Sequence, residues 1–98
     1  MFKIFFPSAY KKSIIGKTKT LTIRTGNEFD KYKIGRTYNA YSYGGTDWKI
    51  KLKITEIKKS QISDLEKSGI SQKAINHLLK KNNLKKSDMV EIIRFKYL

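Results

Sequence analysis

One segment of the chain alternates between apolar and basic residues, and it constrains the fold more than any other. It spans residues 48–55 and divides into an apolar set and a largely basic set: Trp48, Ile50, Leu52 and Ile54 against Lys49, Lys51, Lys53 and Thr55. Successive side chains on a β-strand point to opposite faces, so this period of two predicts a strand with one buried and one solvated face. The chain must therefore build a sheet that buries one face.

Four further strands are predicted from apolar or β-branched runs between turn residues. They span residues 2–6, 19–25, 36–43 and 90–98. The first strand stops at Pro7, because proline has no amide hydrogen for a sheet ladder. The pair Gly44-Gly45 predicts a hairpin leading into the alternating strand.

Short helices are predicted between these strands. Ser8 can cap a helix that ends at Gly16, and the segment Ser63-Asp64-Leu65-Glu66 has the spacing of a capping box. A last helix spans residues 72–82, where Ile70 can pack against Ile75 as a hydrophobic staple.

The order of these elements predicts one α+β domain over residues 1–98. Its order is strand, short helix, three strands, helices and strand, with no interior linker and no repeat. Neither the spacing of parallel βαβ units nor a glycine-rich dinucleotide loop is present. Five strands can curl into a small barrel.

The charge of the chain indicates a polyanionic partner. Twenty-two Lys and Arg residues against eight Asp and Glu residues give a net charge of +14. RNA, DNA or an anionic membrane can neutralise such a charge, although an AT-rich genome also enriches lysine. The basic helix over residues 72–82 lacks the aromatic apolar face of an interfacial helix, so we expect no membrane partner.

The remaining composition narrows the chemistry. The chain has no cysteine and a single histidine, His77, so no metal site and no cofactor are expected. No apolar run approaches the length of a membrane span, and the apolar start of the chain is too short for a signal peptide. We expect a cytoplasmic monomer.

The strand over residues 19–25 carries the side chains best suited to catalysis or to binding an anion. Lys19, Thr22 and Arg24 lie close together there, after a turn at Gly16. A hydroxyl is a weak nucleophile unless a base is near, and a desolvated lysine can be that base. Arg24 can stabilise an oxyanion or bind a phosphate. The plainer alternative is that Thr22 is an ordinary strand residue and Lys19 a solvated one.

Three motifs in the chain resemble the ASCH domain of the PUA-like superfamily. They are Gly16 followed by Lys19-Thr20-Leu21-Thr22-Ile23-Arg24, the turn Lys33-Ile34-Gly35, and the strand end Thr55-Glu56-Ile57. The likeness is closest to the small bacterial N(4)-acetylcytidine amidohydrolases. The resemblance implies a PUA-like barrel of five to six strands with short helices.

The resemblance also implies a site. Those amidohydrolases are believed to remove an acetyl group from the exocyclic nitrogen of cytidine with a Lys, a Thr and a Glu. Lys19 and Thr22 match the first two positions, and Glu66 is the candidate for the third. The family cleft is also expected to take single-stranded RNA or a modified nucleoside.

Basic and aromatic residues supply the parts of a nucleic-acid-binding surface, since aromatic rings stack on bases and lysines follow phosphates. The candidates are Lys17, Arg24, Tyr41, Tyr43, Lys49, Lys51 and Lys53. The lysine row can equally be a solvated strand face. We expect a nucleic-acid-binding domain, with the amidohydrolase as the alternative. A ribonuclease, or a viral protein that blocks a nucleic-acid site, has no distinctive residues here.

Overall fold

A computed structural model describes residues 2–28, 30–42 and 48–98 of the chain. It contains five β-strands, two α-helices and short 3₁₀ helices. The strands are β1 (Lys3–Phe6), β2 (Leu21–Arg24), β3 (Thr37–Ser42), β4 (Ile50–Gln61) and β5 (Met89–Tyr97). The α-helices are α1 (Lys11–Ile15) and α2 (Gln72–Asn82).

The strands form one mixed sheet in the order β1-β3-β4-β5-β2. Strand β1 runs parallel to β3, and the other neighbours are antiparallel. The predicted α+β class is therefore confirmed. Strands β1 and β2 are the two edges, and no backbone ladder joins them over the part of the chain that the structure describes, so the sheet is not closed into a barrel. The predicted Gly44-Gly45 hairpin and Tyr43 lie outside the described residues.

Strand β4 is longer than its alternation predicts. The pattern ends at Thr55, yet the strand continues to Gln61 and pairs with β5 along that extension. The register with β5 shifts between Ile54 and Glu56. Such a bulge adds one residue and changes the phase of the side chains, which hides the second half of the strand from a search for strict alternation.

Among the residues that the structure describes, the core consists of two apolar clusters. The larger packs the inner face of β1, β3 and β4 against α1 and includes Ile4, Phe6, Ile14, Leu52, Ile54 and Phe95. The smaller lies beneath α2 and includes Ile62, Leu65, Ile75, Val90 and Ile92. Strand β5 contributes to both clusters, because its successive side chains point to opposite faces.

The helical segment between β4 and β5 matches the prediction at α2 and differs from it around Ser63. Helix α2 has the predicted bounds, and Ser71 caps it by accepting a hydrogen bond from the Ala74 amide at 3.2 Å. Ile70 packs in the same cluster as Ile75, as the staple predicts. The predicted capping box at Ser63 is wrong.

The chain around Ser63 forms a 3₁₀ helix over Ile62–Ser68 instead, without a side-chain cap. The amides of Ile62 and Ser63 donate to the carbonyl oxygens of Asp88 and Lys86, at 3.0 and 2.9 Å. The bond from Ser63 satisfies the amide that the Glu66 side chain would accept from in a capping box.

The turn after α1 uses its glycine for space rather than for φ. Gly16 has φ −75°, whereas the next residue, Lys17, adopts φ 60°. A Cβ at Gly16 would lie only 3.0 Å from the carbonyl oxygen of Lys12. The glycine therefore permits close approach of the chain, and Lys17 takes the left-handed conformation.

The side chain of Arg24 links the two edge strands. Its Nη2 donates to the Phe5 carbonyl oxygen of β1 at 2.8 Å, and its Nη1 donates to Glu28 Oε1 at 3.1 Å. The guanidinium carbon lies 4.9 Å from the Phe6 ring centroid and 5.6 Å from that of Tyr32. Arg24 is only 6% exposed, so it joins β2 to β1 from within the protein.

Replacing Arg24 with methionine should destabilise the fold strongly. Arg24→Met removes the link to β1 and the pair with Glu28, whereas Lys31 and the Tyr32 hydroxyl still contact Glu28. We expect a loss of roughly 3 kcal/mol, since hydrogen bonds to charged groups contribute about 1.5–3 kcal/mol each. Arg94→Met is the matched control, because Arg94 is 42% exposed and pairs with Glu56 at 3.6 Å. We expect the control to lose less than about 1 kcal/mol. Urea denaturation measures both, and equal losses would contradict a structural role for Arg24.

Candidate functional site

A cavity of about 480 Å³ lies along the outer edge of β2. Its lining includes Pro7 and Tyr10, before α1, and residues between Gly69 and Leu78 that belong to the turn into α2 and to the first part of that helix. The cavity exists here because β2 is an edge strand and pairs only with β5. Lys19, Thr22 and Arg24 all line it. The structure therefore brings together three residues of the predicted motif.

Lys19 lies just before β2 and is held on both its backbone and its side chain. The Tyr97 hydroxyl donates to the Lys19 carbonyl oxygen, and Lys19 Nζ lies 4.2 Å from the ring centroid of Tyr10. Burial, and secondarily the charge of Arg24, lowers the pKa of Lys19. Lys19 consequently loses its proton more readily than a surface lysine.

Thr22 occupies the middle of β2, opposite Ile93 of β5. It is only 7% exposed and shares a face with Arg24, as the alternation of the strand predicts. Its hydroxyl makes no hydrogen bond to any other residue that the structure describes. A ligand in the cavity can therefore use the Thr22 hydroxyl as a donor or an acceptor.

The acid of the cavity is Glu28. Its Oε1 accepts hydrogen bonds from Arg24 and from the Tyr32 hydroxyl, at 3.1 and 3.0 Å, and its Oε2 lies 3.0 Å from Lys31 Nζ. Burial acts to raise the pKa of Glu28, but these hydrogen bonds and the charges of Arg24 and Lys31 outweigh it and hold the pKa below its usual range. Glu28 is therefore ionised at neutral pH and compensates Arg24.

Glu66 does not line this cavity. It lies on the 3₁₀ helix over Ile62–Ser68, exposed to solvent. Sequence reasoning missed Glu28 because it searched for an acid after the long strand. The sequence did contain one signal for Glu28. Arg24 and Glu28 are four residues apart, and so are Glu28 and Tyr32, and side chains four residues apart meet on a helical turn.

The other predicted binding residues separate into two groups. Arg24 lines the cavity, but two of its nitrogens are committed to Phe5 and Glu28. Lys17 is exposed in the turn after α1 and does not line the cavity. Away from the cavity lie the predicted residues of β3, of β4 and of the segment just before β4: Tyr41, Lys49, Lys51 and Lys53.

The start of α2 adds cavity residues that the sequence did not single out. Ile70, Ser71 and His77 also line the cavity. The turn into the helix passes through Gly69 at φ 87°, a conformation that favours glycine. A helix N-terminus carries partial positive charge, so the first turn of α2 favours an anionic ligand.

Over residues 2–28, 30–42 and 48–98, no three His, Cys, Asp or Glu side chains are grouped so that they could hold a metal ion. No helix in the same part of the chain is long and apolar enough to cross a membrane. Comparison of the chain with protein-family models, curated proteins and solved structures finds no match.

Replacing Lys19 with methionine should stabilise the protein in a pH-dependent way. The pKa of Lys19 is lowered from its ordinary value of 10.5, so the folded protein holds this proton less tightly than the unfolded chain. Burying the charged lysine therefore lowers the free energy of unfolding. This loss is complete at pH values below the pKa of Lys19 in the folded protein, and it disappears as the pH rises from there toward the pKa in the unfolded chain. Lys19→Met should therefore raise the free energy of unfolding at pH 7, and the gain should shrink by pH 10.

Urea denaturation at the two pH values measures this difference. Lys85→Met is the control, since Lys85 is exposed in the loop before β5. The same pH dependence in both variants would contradict the effect of burial on Lys19.

Proposed function

We propose that this chain is an ASCH-type domain that binds RNA, or a modified nucleoside, with one base and its sugar in the cavity along β2. The observation that carries the proposal is that Lys19, Thr22 and Arg24 of the resembling motif line one cavity. In this proposal the side-chain link from Arg24 to Phe5 completes an ASCH-type barrel that the backbone leaves open.

The size and the walls of the cavity support a nucleoside. Its volume of about 480 Å³ falls within the range of about 300–1,000 Å³ that small-molecule sites occupy. Tyr10, Ile70 and Leu78 supply aromatic and apolar surface for a base. Lys19 and Thr22 supply the few polar groups that would fix its orientation.

Electrostatics support a ligand with a phosphate. The chain carries a net charge of +14, which steers anions toward the protein. Glu28 compensates Arg24, so Lys19 is the cavity lysine that remains for a ligand anion. The start of α2 adds partial positive charge to the same cavity.

A nucleotide titration tests the binding function. We expect cytidine monophosphate to bind, and Lys19→Ala to weaken it by about tenfold or more, since a charge-assisted hydrogen bond contributes about 1.5–3 kcal/mol. Lys85→Ala, with the same loss of charge outside the cavity, should bind like the parent protein. Isothermal titration calorimetry measures all three. Absence of binding to cytidine and uridine nucleotides, or equal losses in both variants, would contradict the proposal.

Hydrolysis of N(4)-acetylcytidine is the second candidate function, and the lowered pKa of Lys19 beside Thr22 favours it. In such a reaction the Thr22 oxygen attacks the acetyl carbonyl and passes its proton to neutral Lys19. The C–N bond then breaks, Lys19 returns the proton to the leaving amine of cytidine, and water hydrolyses the acetyl ester on Thr22. Glu28 is ionised and bound to Arg24, so it does not supply this proton.

Thr22→Val separates the two functions. The substitution removes the hydroxyl and keeps the β-branched shape, so we expect it to abolish release of cytidine from acetylcytidine if the protein is a hydrolase, while acetylcytidine binding weakens by no more than about tenfold through the loss of one hydrogen bond. Thr37→Val, on the exposed start of β3, is the control. Chromatography of the products measures release. Turnover that persists in Thr22→Val would exclude Thr22 as the nucleophile, and no release by the parent protein would leave binding as the function.

A further inference from the structure

The sheet has a second basic surface that the cavity does not include. We call it the outer face, and it comprises residues of β1, β3, β4 and β5 on the side of the sheet opposite the larger core cluster: Lys3, Phe5, Tyr41, Lys51, Lys53 and Lys96. None of these residues lines the cavity along β2. We propose that the outer face binds single-stranded RNA, with its lysines along the phosphates and Tyr41 against a base.

The strand registers bring the lysines together. Lys3 pairs with Asn39, which in turn pairs with Lys51, and Lys53 pairs with Lys96. Lys51 and Lys53 lie about 7 Å apart along β4, because each strand residue advances about 3.4 Å. Four cations from three strands therefore share one surface.

Within the part of the chain that the structure describes, none of Lys3, Lys51, Lys53 and Lys96 makes an ion pair. Further along β4 and β5, Glu56 is paired with Arg94 at 3.6 Å. A cross-strand pair of like charges such as Lys53 and Lys96 is unfavourable by itself. A bound polyanion relieves this repulsion and releases its own counterions.

The aromatic rings on the outer face favour a single strand over a duplex. The Phe5 and Tyr41 ring centroids are 5.8 Å apart with an interplanar angle of 30°, and Lys3 Nζ lies 5.7 Å from the Tyr41 ring centroid. Both rings are half-buried, so each is held in place and still presents surface. Unpaired bases can stack on such rings, whereas the bases of a duplex are already stacked on each other.

This inference rests on the nucleic-acid-binding function proposed above, from which it takes RNA as the ligand. It assigns a separate surface to the part of an RNA strand that extends beyond the cavity. The cavity would hold one nucleotide, and the outer face would hold others through their phosphates. A free nucleotide therefore reports on the cavity, while an oligonucleotide reports on both.

The test compares two double variants that lose the same charge. Lys51→Gln with Lys53→Gln changes the outer face, and Lys85→Gln with Lys86→Gln changes the exposed loop before β5. The probe is a fluorescently labelled twelve-nucleotide oligouridine, titrated by anisotropy from 50 to 300 mM KCl. Far-UV circular dichroism and thermal unfolding confirm that both variants are folded.

We expect the outer-face variant to bind the oligonucleotide roughly 10–30-fold more weakly than the parent at 0.1 M salt. The slope of log K against log salt should fall in magnitude by about 1.4, since each phosphate contact on a single strand contributes about 0.7. Cytidine monophosphate binding should be unchanged, because Lys51 and Lys53 lie outside the cavity. Tyr41→Ala should weaken oligonucleotide binding by at least about fivefold through lost stacking.

Equal affinities and equal salt slopes in the two double variants would overturn the proposal. It would also be overturned if the parent protein bound an RNA duplex of the same length as tightly as the single-stranded oligonucleotide. If the parent binds the oligonucleotide through the outer face but binds no free nucleotide, the outer face stands and the cavity function fails. If nucleotide binding depends on Lys19 while oligonucleotide binding is unaffected by the loss of Lys51 and Lys53, the cavity function stands and the outer face fails.

Discussion

The buried guanidinium of Arg24 is the interaction on which the rest of this structure depends. A cation with 6% exposure must be paired and hydrogen-bonded, because an isolated buried charge is too unfavourable to persist. Arg24 meets this requirement through Glu28 on one side and the Phe5 carbonyl oxygen on the other. These two contacts fix the connection after β2 and bring β1 toward β2, so the two edges of an open sheet are held together by a side chain.

The same charge shapes the chemistry of the cavity. The field of Arg24 adds to burial in lowering the pKa of Lys19, and Arg24 is among the groups that keep Glu28 ionised. Glu28 is consequently bound to Arg24 in a structural ion pair, and Lys19 remains as the cation that faces the cavity. Such an arrangement suits recognition of an anion or a carbonyl better than a relay of protons between Lys19 and Glu28. The cavity lies on an edge strand, which leaves the outer face of the sheet available as a separate surface.

Much of the fold was predictable because local patterns act over short distances. Alternation over residues 48–55 identified β4, and the hydrophobic staple from Ile70 to Ile75 identified α2, whose bounds are those predicted. Prediction failed where a non-local contact decided the outcome. The bulge after Ile54 concealed the second half of β4, and backbone bonds from Ile62 and Ser63 to the loop before β5 replaced the expected capping box.

The sequence by itself determined most of the elements, the charge and the placement of Thr22 and Arg24 on one face, because alternate residues of one strand share a face without help from the rest of the chain. Only the tertiary structure decided which acid joins them. Glu28 reaches the cavity through the turn after β2, whereas Glu66 remains exposed on its 3₁₀ helix. It also decided that the lysines of β4 lie apart from the cavity, because strand order places β2 at the edge beyond β5. Such relations depend on how distant segments pair, and local composition does not encode that pairing.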